Sequence, residues 1–133
     1  MAGEINLDKL LASMEPMLHE GEYVFCTVPA SVAIDINDIV CFFREAEGNT
    51  IIVDKQFADK CGLTYNYVSS WITLNVHSSL EAVGLTAAFS KALADEGISC
   101  NVCAACYHDH IFVAGEDSTK AMKVLQRLSD AAL

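Results

Sequence analysis

Residues 67–85 read Tyr-Val-Ser-Ser-Trp-Ile-Thr-Leu-Asn-Val-His-Ser-Ser-Leu-Glu-Ala-Val-Gly-Leu, and the fold turns on this stretch. Val68, Ser70, Ile72, Leu74 and Val76 fall on one side of an extended chain, and Trp71, Thr73 and Asn75 on the other. That alternation predicts a strand with one apolar face over residues 67–76. Ser78, followed three residues later by Glu81, has the spacing of a capping box, so a helix is expected from there to Glu96, stopped by Gly97. Residues 98–106 and 111–114 supply two more strands. Asp117 or Ser118 caps a last helix whose buried stripe is Ala121, Val124, Leu125 and Leu128. This order, strand–helix–strand–strand–helix, is one strand short of the ferredoxin-like split βαβ arrangement. An earlier strand or a neighbouring subunit has to cover the open sheet edge.

Upstream, Leu7, Leu10, Leu11 and Met14 form the stripe of an amphipathic helix, which Pro16 limits. Gly21 opens a strand over residues 23–28. Residues 29–38 fit either a short helix or a loop. The apolar runs 39–43 and 50–53 flank turn residues and read as an antiparallel hairpin. Asp54 caps a helix over residues 55–61, which Gly62 ends in a left-handed conformation. The strand–strand–helix order thus occurs twice, a weak internal repeat. It suggests two halves, 1–66 and 67–133, in an α+β fold of antiparallel sheet with helices on one face.

With 133 residues, 53% of them apolar and 20% charged, the chain is long and apolar enough to fold around a core without staples. The net charge of −10 argues against a nucleic-acid or anionic-membrane partner, both of which require Lys and Arg. Apolar runs fall well short of the roughly 20 residues needed to span a bilayer. The start Met1-Ala2-Gly3-Glu4 has neither the positive charge nor the apolar stretch of a secretory signal, so a cytoplasmic location is expected, with the six cysteines reduced.

The helix crossover brings residues 77–80 and 107–110 to one edge of the second-half sheet. His77, His108 and His110 are therefore expected to converge there, beside Asp109 and a helix start whose free amides suit a carboxylate or phosphate. Gly84 permits close approach. The plainer reading makes Ser78 a cap and residues 108–110 a polar turn. Cys100, Cys103 and Cys106 with His108 and His110 resemble metal-ligand spacing. On a strand, however, Cys100 and Cys106 stand roughly 20 Å apart and Cys103 faces away. They read as core cysteines, and no metal or other cofactor is expected. A Ser78 or Ser79 triad with His108 or His110 and Asp109 lacks a strained nucleophile elbow, so no catalytic residues are assigned. Residues 35–38 lack the spacing of a calcium loop and read as a solvated turn.

Residues 69–128 resemble an ACT domain, the small regulatory module of amino-acid metabolism. The stretches that carry this are Ile72-Thr73-Leu74-Asn75-Val76-His77-Ser78-Ser79-Leu80-Glu81-Ala82-Val83-Gly84-Leu85, Gly97-Ile98-Ser99-Cys100-Asn101-Val102 and Tyr107-His108-Asp109-His110-Ile111-Phe112-Val113. The runs 77–84 and 107–113 are similar to one subgroup, small stand-alone bacterial proteins long filed as a domain of unknown function. That subgroup has a shorter ACT-like first half, which Gly21-Glu22-Tyr23-Val24-Phe25, Arg44-Glu45-Ala46-Glu47-Gly48 and Gly62-Leu63-Thr64-Tyr65 fit. The resemblance implies a ferredoxin-like βαββαβ fold, a homo-oligomer (a dimer), and an amino-acid ligand near an ACT–ACT interface. The usual ACT contacts map to Asn75, His77, Ser78, Ser79, Leu80 and Gly84 and, across the sheet, Asn101 and Val102. ACT domains usually carry a glycine or acidic residue where this chain has His77-Ser78.

Three functions compete. The first is a non-catalytic, ligand-sensing regulatory module for an amino acid or similar carboxylate. The carboxylate would sit on the amides of Ser79 and Leu80, with His77 or His110 adding a pH-sensitive contact. Gly84→Leu is expected to block that site without loss of fold. The second is a purely structural protein whose motif builds an oligomer interface. The third is a metal protein or enzyme built on His77, His108, Asp109 and His110.

Overall fold

The computed structural model describes residues 3–132. In chain order the elements are α1 (Leu7–Ser13), β1 (Glu15–Leu18), β2 (Tyr23–Val28), β3 (Cys41–Glu45), β4 (Gly48–Asp54), α2 (Lys55–Cys61), β5 (Val68–Asn75), α3 (Leu85–Asp95), β6 (Asn101–Ala104), β7 (Asp109–Ala114) and α4 (Ser118–Ala131). Two compact units divide this chain. One is Glu20–Ser70. The other comprises the segment up to His19 together with the chain from Trp71 onward. The expected halves, 1–66 and 67–133, followed the sequence repeat. Compactness instead groups α1 and β1 with the second half, because Leu10, Leu11 and Met14 share its core.

In the larger unit the strand order is β6-β7-β5, with β1 on the other side of β5. β1 runs antiparallel to β5, with Glu15 opposite Asn75 and Leu18 opposite Ile72. It is the strand the sequence left missing. Pro16 sits inside it, opposite Leu74. An outer strand accepts proline because one row of its amides needs no ladder partner. β6 and β7 pair antiparallel, with Cys103 opposite His110 and Ala104 opposite Asp109. Ile72 and Leu74 of β5 and Ile111 and Val113 of β7 point to one side, where Phe89 and Leu93 of α3 and Ala121, Val124 and Leu125 of α4 close the core. Asn6 caps α1 by accepting from the Lys9 amide, and Leu10 and Met14 are buried as the stripe predicts. β6 covers only four residues of the strand expected over 98–106.

In the smaller unit the order is β3-β4-β2 and then the first residues of β5. Here the expected hairpin is present and tighter than read, with Glu45 opposite Gly48. Asp54 accepts from the Gln56 amide at the start of α2, and Gly62 ends it at φ +69°. The open stretch 29–38 is a loop with one short 3-10 turn, Ile36–Asp38. Val24, Cys26, Val28, Ile51, Val53 and Ala58 make a smaller core. Among the described residues no helix is long and apolar enough to cross a membrane.

Candidate functional site

The chain leaving β5 does not enter a helix at once. The Ser78 amide donates back to the Val76 carbonyl at 3.0 Å and the Ala82 amide to the Ser79 carbonyl at 3.0 Å. Ser79 Oγ accepts from the Glu81 amide, closing a local turn. Gly84 then takes φ +102° and serves as the N-cap of α3, so the helix begins at Leu85. The helix expected from the Ser78/Glu81 capping box is therefore corrected. The Glu81 amide is taken by Ser79, not by Ser78, within a local turn, and no helix can pass through a residue with positive φ. The N-terminal segment straps this loop. The Glu4 amide donates to the His77 carbonyl and the Ser79 amide to the Glu4 carbonyl, both at 3.0 Å. A side chain on Gly3 would meet the backbone of His77, Ser78 and Ser79 at 2.6–2.7 Å, so only glycine fits under that strap.

A cavity of about 130 Å³ opens beside the loop. Residues 78–80 and Ala82 form one wall, Gly84, Leu85 and Thr86 a second, and Ala104 with Asp109 the third. No side chain among the described residues caps α3. The first-turn amides thus face this region with the positive end of the helix dipole. Asp109 is only 6% exposed, and burial raises its carboxyl above the usual carboxylate range.

Five of the residues named from sequence line this cavity: Ser78, Ser79, Leu80, Gly84 and Asp109. Ala82, Leu85, Thr86 and Ala104 were missed. The positive φ of Gly84, which moves the helix start into the cavity wall, is the signal that would have found Leu85 and Thr86. The other named residues go elsewhere. Asn75 pairs with Glu15 on β1. Asn101 donates its side-chain amide to the Phe112 carbonyl. Val102 packs against the core. His77 places its ring 5.6 Å from that of Tyr107. His108 Nδ1 is buried and finds no partner among the described residues.

His110 departs most from expectation. β7 alternates, so Asp109 lies on the helix side of the sheet and His110 on the opposite side. There Trp71 Nε1–H donates to His110 Nδ1 at 3.1 Å, and the Thr73 hydroxyl lies 3.0 Å from the same nitrogen. Thr73 also meets His19 Nε2 at 2.7 Å, and the His19 ring stacks on Trp71 at 3.6 Å. Accepting from Trp71 makes His110 a neutral imidazole with its proton on Nε2. Its pKa is lowered by burial and then by neighbouring His108 and His19, and that of His19 by burial. The three histidines expected at one edge are thus divided. His19, which the sequence did not single out, belongs with His110.

Among the described residues none of the six cysteines is joined in a disulfide. Of the three at 100–106, only Cys100 packs against the core, half-buried, with its thiol pushed up to about 11 by desolvation. Cys106 is exposed. Among the described residues no three His, Cys, Asp or Glu side chains are arranged to hold a metal ion.

A family model described as an ACT domain matches residues 2–70, more than half the chain, and a second ACT-domain model matches residues 66–127. The chain belongs to the ACT domain family. A Vibrio cholerae protein of unknown function, described as a possible transport protein, is 46% identical over 92% of this chain and 95% of its own, with a TM-score of 0.83. An Agrobacterium tumefaciens protein is 18% identical, over 87% of this chain and 89% of its own, with a TM-score of 0.67. The regulatory subunit of aspartate kinase from Thermus thermophilus shares the fold at 8% identity and a TM-score of 0.65, covering 89% of this chain and 97% of its own. No curated protein matches the chain. Within the ACT fold, the cavity lies where the first strand of the second ACT half, β5, gives way to its first helix, α3.

Proposed function

We propose that this ACT protein is a non-catalytic regulatory module that binds an amino acid or similar carboxylate in the cavity beside α3. The observation that carries this reading is a helix start without a capping side chain, opening on a cavity walled by residues 78–80 and Asp109. Uncapped first-turn amides are the best anion acceptors a backbone offers. The carboxylate goes to the amides of Leu85 and Thr86. It does not go to Ser79, whose amide is taken by the Glu4 carbonyl. The ACT family and the fold shared with an aspartate kinase regulatory subunit support the regulatory role. We infer a cytoplasmic homodimer. The outer sides of β3 and β6, each at the end of its unit's strand order, are the natural places for a second copy to pair.

The test is a thermal-shift screen against the twenty amino acids. A ligand at a hundred times its dissociation constant stabilises by about 2.7 kcal/mol, several degrees at this size. Ala104→Leu fills the cavity from an exposed position and should abolish the shift with the apo Tm unchanged. Gly84→Leu is unsuitable, because Gly84 sits at φ +102° with Leu7 3.1 Å from where its Cβ would be. A flat response to every amino acid refutes the reading and moves the weight to a structural role.

A further inference from the structure

The side of the larger unit's sheet away from its helices carries a chain of hydrogen bonds that takes no part in the cavity. Trp71 Nε1–H donates to His110 Nδ1 at 3.1 Å, the Thr73 hydroxyl lies 3.0 Å from the same nitrogen, and His19 Nε2 lies 2.7 Å from that hydroxyl. Thr73, at the junction, is 3% exposed, so the protein itself has to satisfy its hydroxyl. An indole N–H only donates, and a threonine hydroxyl has one proton to give. That count makes the two histidines unequal. A proton added to His19 leaves the chain whole: Nε2–H donates to Thr73 Oγ1, the hydroxyl donates to His110 Nδ1, and Trp71 donates to the same nitrogen. A proton added to His110 goes to Nδ1, because Nε2 already carries one. Nδ1–H then faces Trp71 Nε1–H, two donors with no acceptor between them. Thr73 still accepts from Nδ1, so the bond to Trp71 is the one that breaks.

We propose that His110 is the trigger of a pH-sensitive latch: protonation of its Nδ1 breaks the Trp71 bond that ties β5 to β7 on this face, while protonation of His19 leaves that bond in place. The latch does not depend on what the cavity binds. The other ionisable groups around it are few. Residues directly opposite on paired strands share a face, which puts Glu15 of β1 beside Asn75 and Cys103 of β6 beside His110. The His19 amide donates to the Trp71 carbonyl at 2.9 Å, which carries the β1 side of the sheet up to the latch. The His108 ring lies 6.5 Å from that of His110. β5 has no ionisable side chain. Asp109 lies on the helix side, and Glu20, next after His19, is exposed. Among the described residues no carboxylate forms an ion pair with His110 or His19, so nothing there rewards a positive charge.

The pH dependence has a definite sign. Burial, then neighbouring His108 and His19, lower the pKa of His110, and burial lowers that of His19. Each histidine therefore holds fewer protons in the folded protein than in the unfolded chain. The stability they contribute is complete above the unfolded value of 6.5 and is lost as the pH falls from there toward the folded values. Asp109, whose carboxyl is raised by burial, contributes with the opposite sign, so melting temperature alone does not read the latch. The Trp71 indole proton does.

The experiment follows the Trp71 Nε1–H resonance and the histidine ring nitrogens by NMR from pH 8 to pH 4.5, in wild type, His110→Asn and His19→Gln. Asparagine Oδ1 stands near the place of histidine Nδ1, accepts and does not titrate. Glutamine keeps a polar atom near the place of His19 Nε2. In wild type at pH 7.5 the indole proton is expected downfield, as a hydrogen-bonded one is, with His110 Nδ1 unprotonated. On acidification it moves to the position of a free indole, with the midpoint of His110 and below pH 6.5. In His110→Asn it keeps its downfield position throughout. In His19→Gln it still moves. A wild-type resonance that stays in place over the whole range overturns the latch. So does a transition that persists in His110→Asn or is abolished in His19→Gln. Should either variant fold poorly, wild type decides alone: a proton on His110 Nδ1 at pH 7.5, or an indole transition that follows His19 and not His110, overturns the proposal.

Discussion

Both units lay out their strands in the same order, second, third, first, fourth, yet they treat the step after the first strand differently. In the larger unit β5 leads through the 76–84 loop into α3, and the candidate cavity opens at that helix start. In the smaller unit β2 ends at Val28, Pro29 follows, and residues 29–40 hold a turn closed by the Val32 amide on the Pro29 carbonyl and the short 3-10 turn Ile36–Asp38, with no α-helix. A turn of three residues aligns too few peptide dipoles to hold an anion. The units also fill the fourth position differently. The smaller uses the strand that follows α2, whereas the larger uses β1, which precedes every other strand in it. The same sheet thus tolerates losing a helix or permuting a strand, while the candidate cavity is found only where the helix is kept.

The sharpest way to break that comparison is to remove what each unit packs after its first strand. Phe89 of α3 is fully buried, so Phe89→Ala should cost about 3–5 kcal/mol. Ile36 occupies the corresponding stretch of the smaller unit and is 79% exposed, so Ile36→Ala should stay within about 0.5 kcal/mol. Urea unfolding followed by far-ultraviolet circular dichroism and by Trp71, the sole tryptophan, measures both. If Ile36→Ala costs as much as Phe89→Ala, the turn is a packed element and the contrast drawn between the units is wrong.

What the sequence disclosed follows the range of the interactions. The α2 helix was legible at both ends because Asp54 and Gly62 act on their own neighbours. The α1 stripe and the β3–β4 hairpin were legible for the same reason. β1 was not, because residues 15–18 carry no alternation and a proline. Only pairing with β5, more than fifty residues away, makes them a strand. The start of α3 was misread because Ser78 and Glu81 fit the capping-box pattern while the chain between them turns locally. The lining of the candidate cavity was legible where topology decides, at residues 78–80, Gly84 and Asp109. The place of His110 was not legible, because residues 108–110, between the expected strands 98–106 and 111–114, read as a polar turn. Once Asp109 starts β7, alternation sends its neighbour to the other face.

A second comparison sets one helix-boundary glycine of each unit against the other. Gly62 lies at φ +69° with nothing within 4 Å of an added Cβ, so Gly62→Ala should cost about 1–2 kcal/mol, the strain of the left-handed conformation alone. Gly84 lies at φ +102°, beyond that well, and a Cβ would come 3.1 Å from Leu7 Cδ2. Gly84→Ala should therefore cost more than Gly62→Ala, by about 1 kcal/mol. Equal losses by thermal denaturation would mean that Leu7 gives way freely and that α1 does not brace the site.

The smallest effect expected separates the helix caps. Asp54 begins the seven-residue α2, and its Oδ1 accepts from the Gln56 amide at 2.8 Å. Asp117 precedes the fourteen-residue α4 and makes no side-chain cap bond. Asp54→Ala should cost about 1 kcal/mol and Asp117→Ala a few tenths at most, the latter only through the lost charge at the helix N-terminus. A short helix has few internal bonds to lose, so its end matters more to it than the end of a long one. In the larger unit the long α4 does without such a bond, and α3 begins at a glycine beside the cavity. In the smaller unit the one helix needs its aspartate. If Asp117→Ala proves the costlier change, cap chemistry has not been allotted by helix length. The uncapped start of α3 would then lose its standing as a feature left open for a ligand.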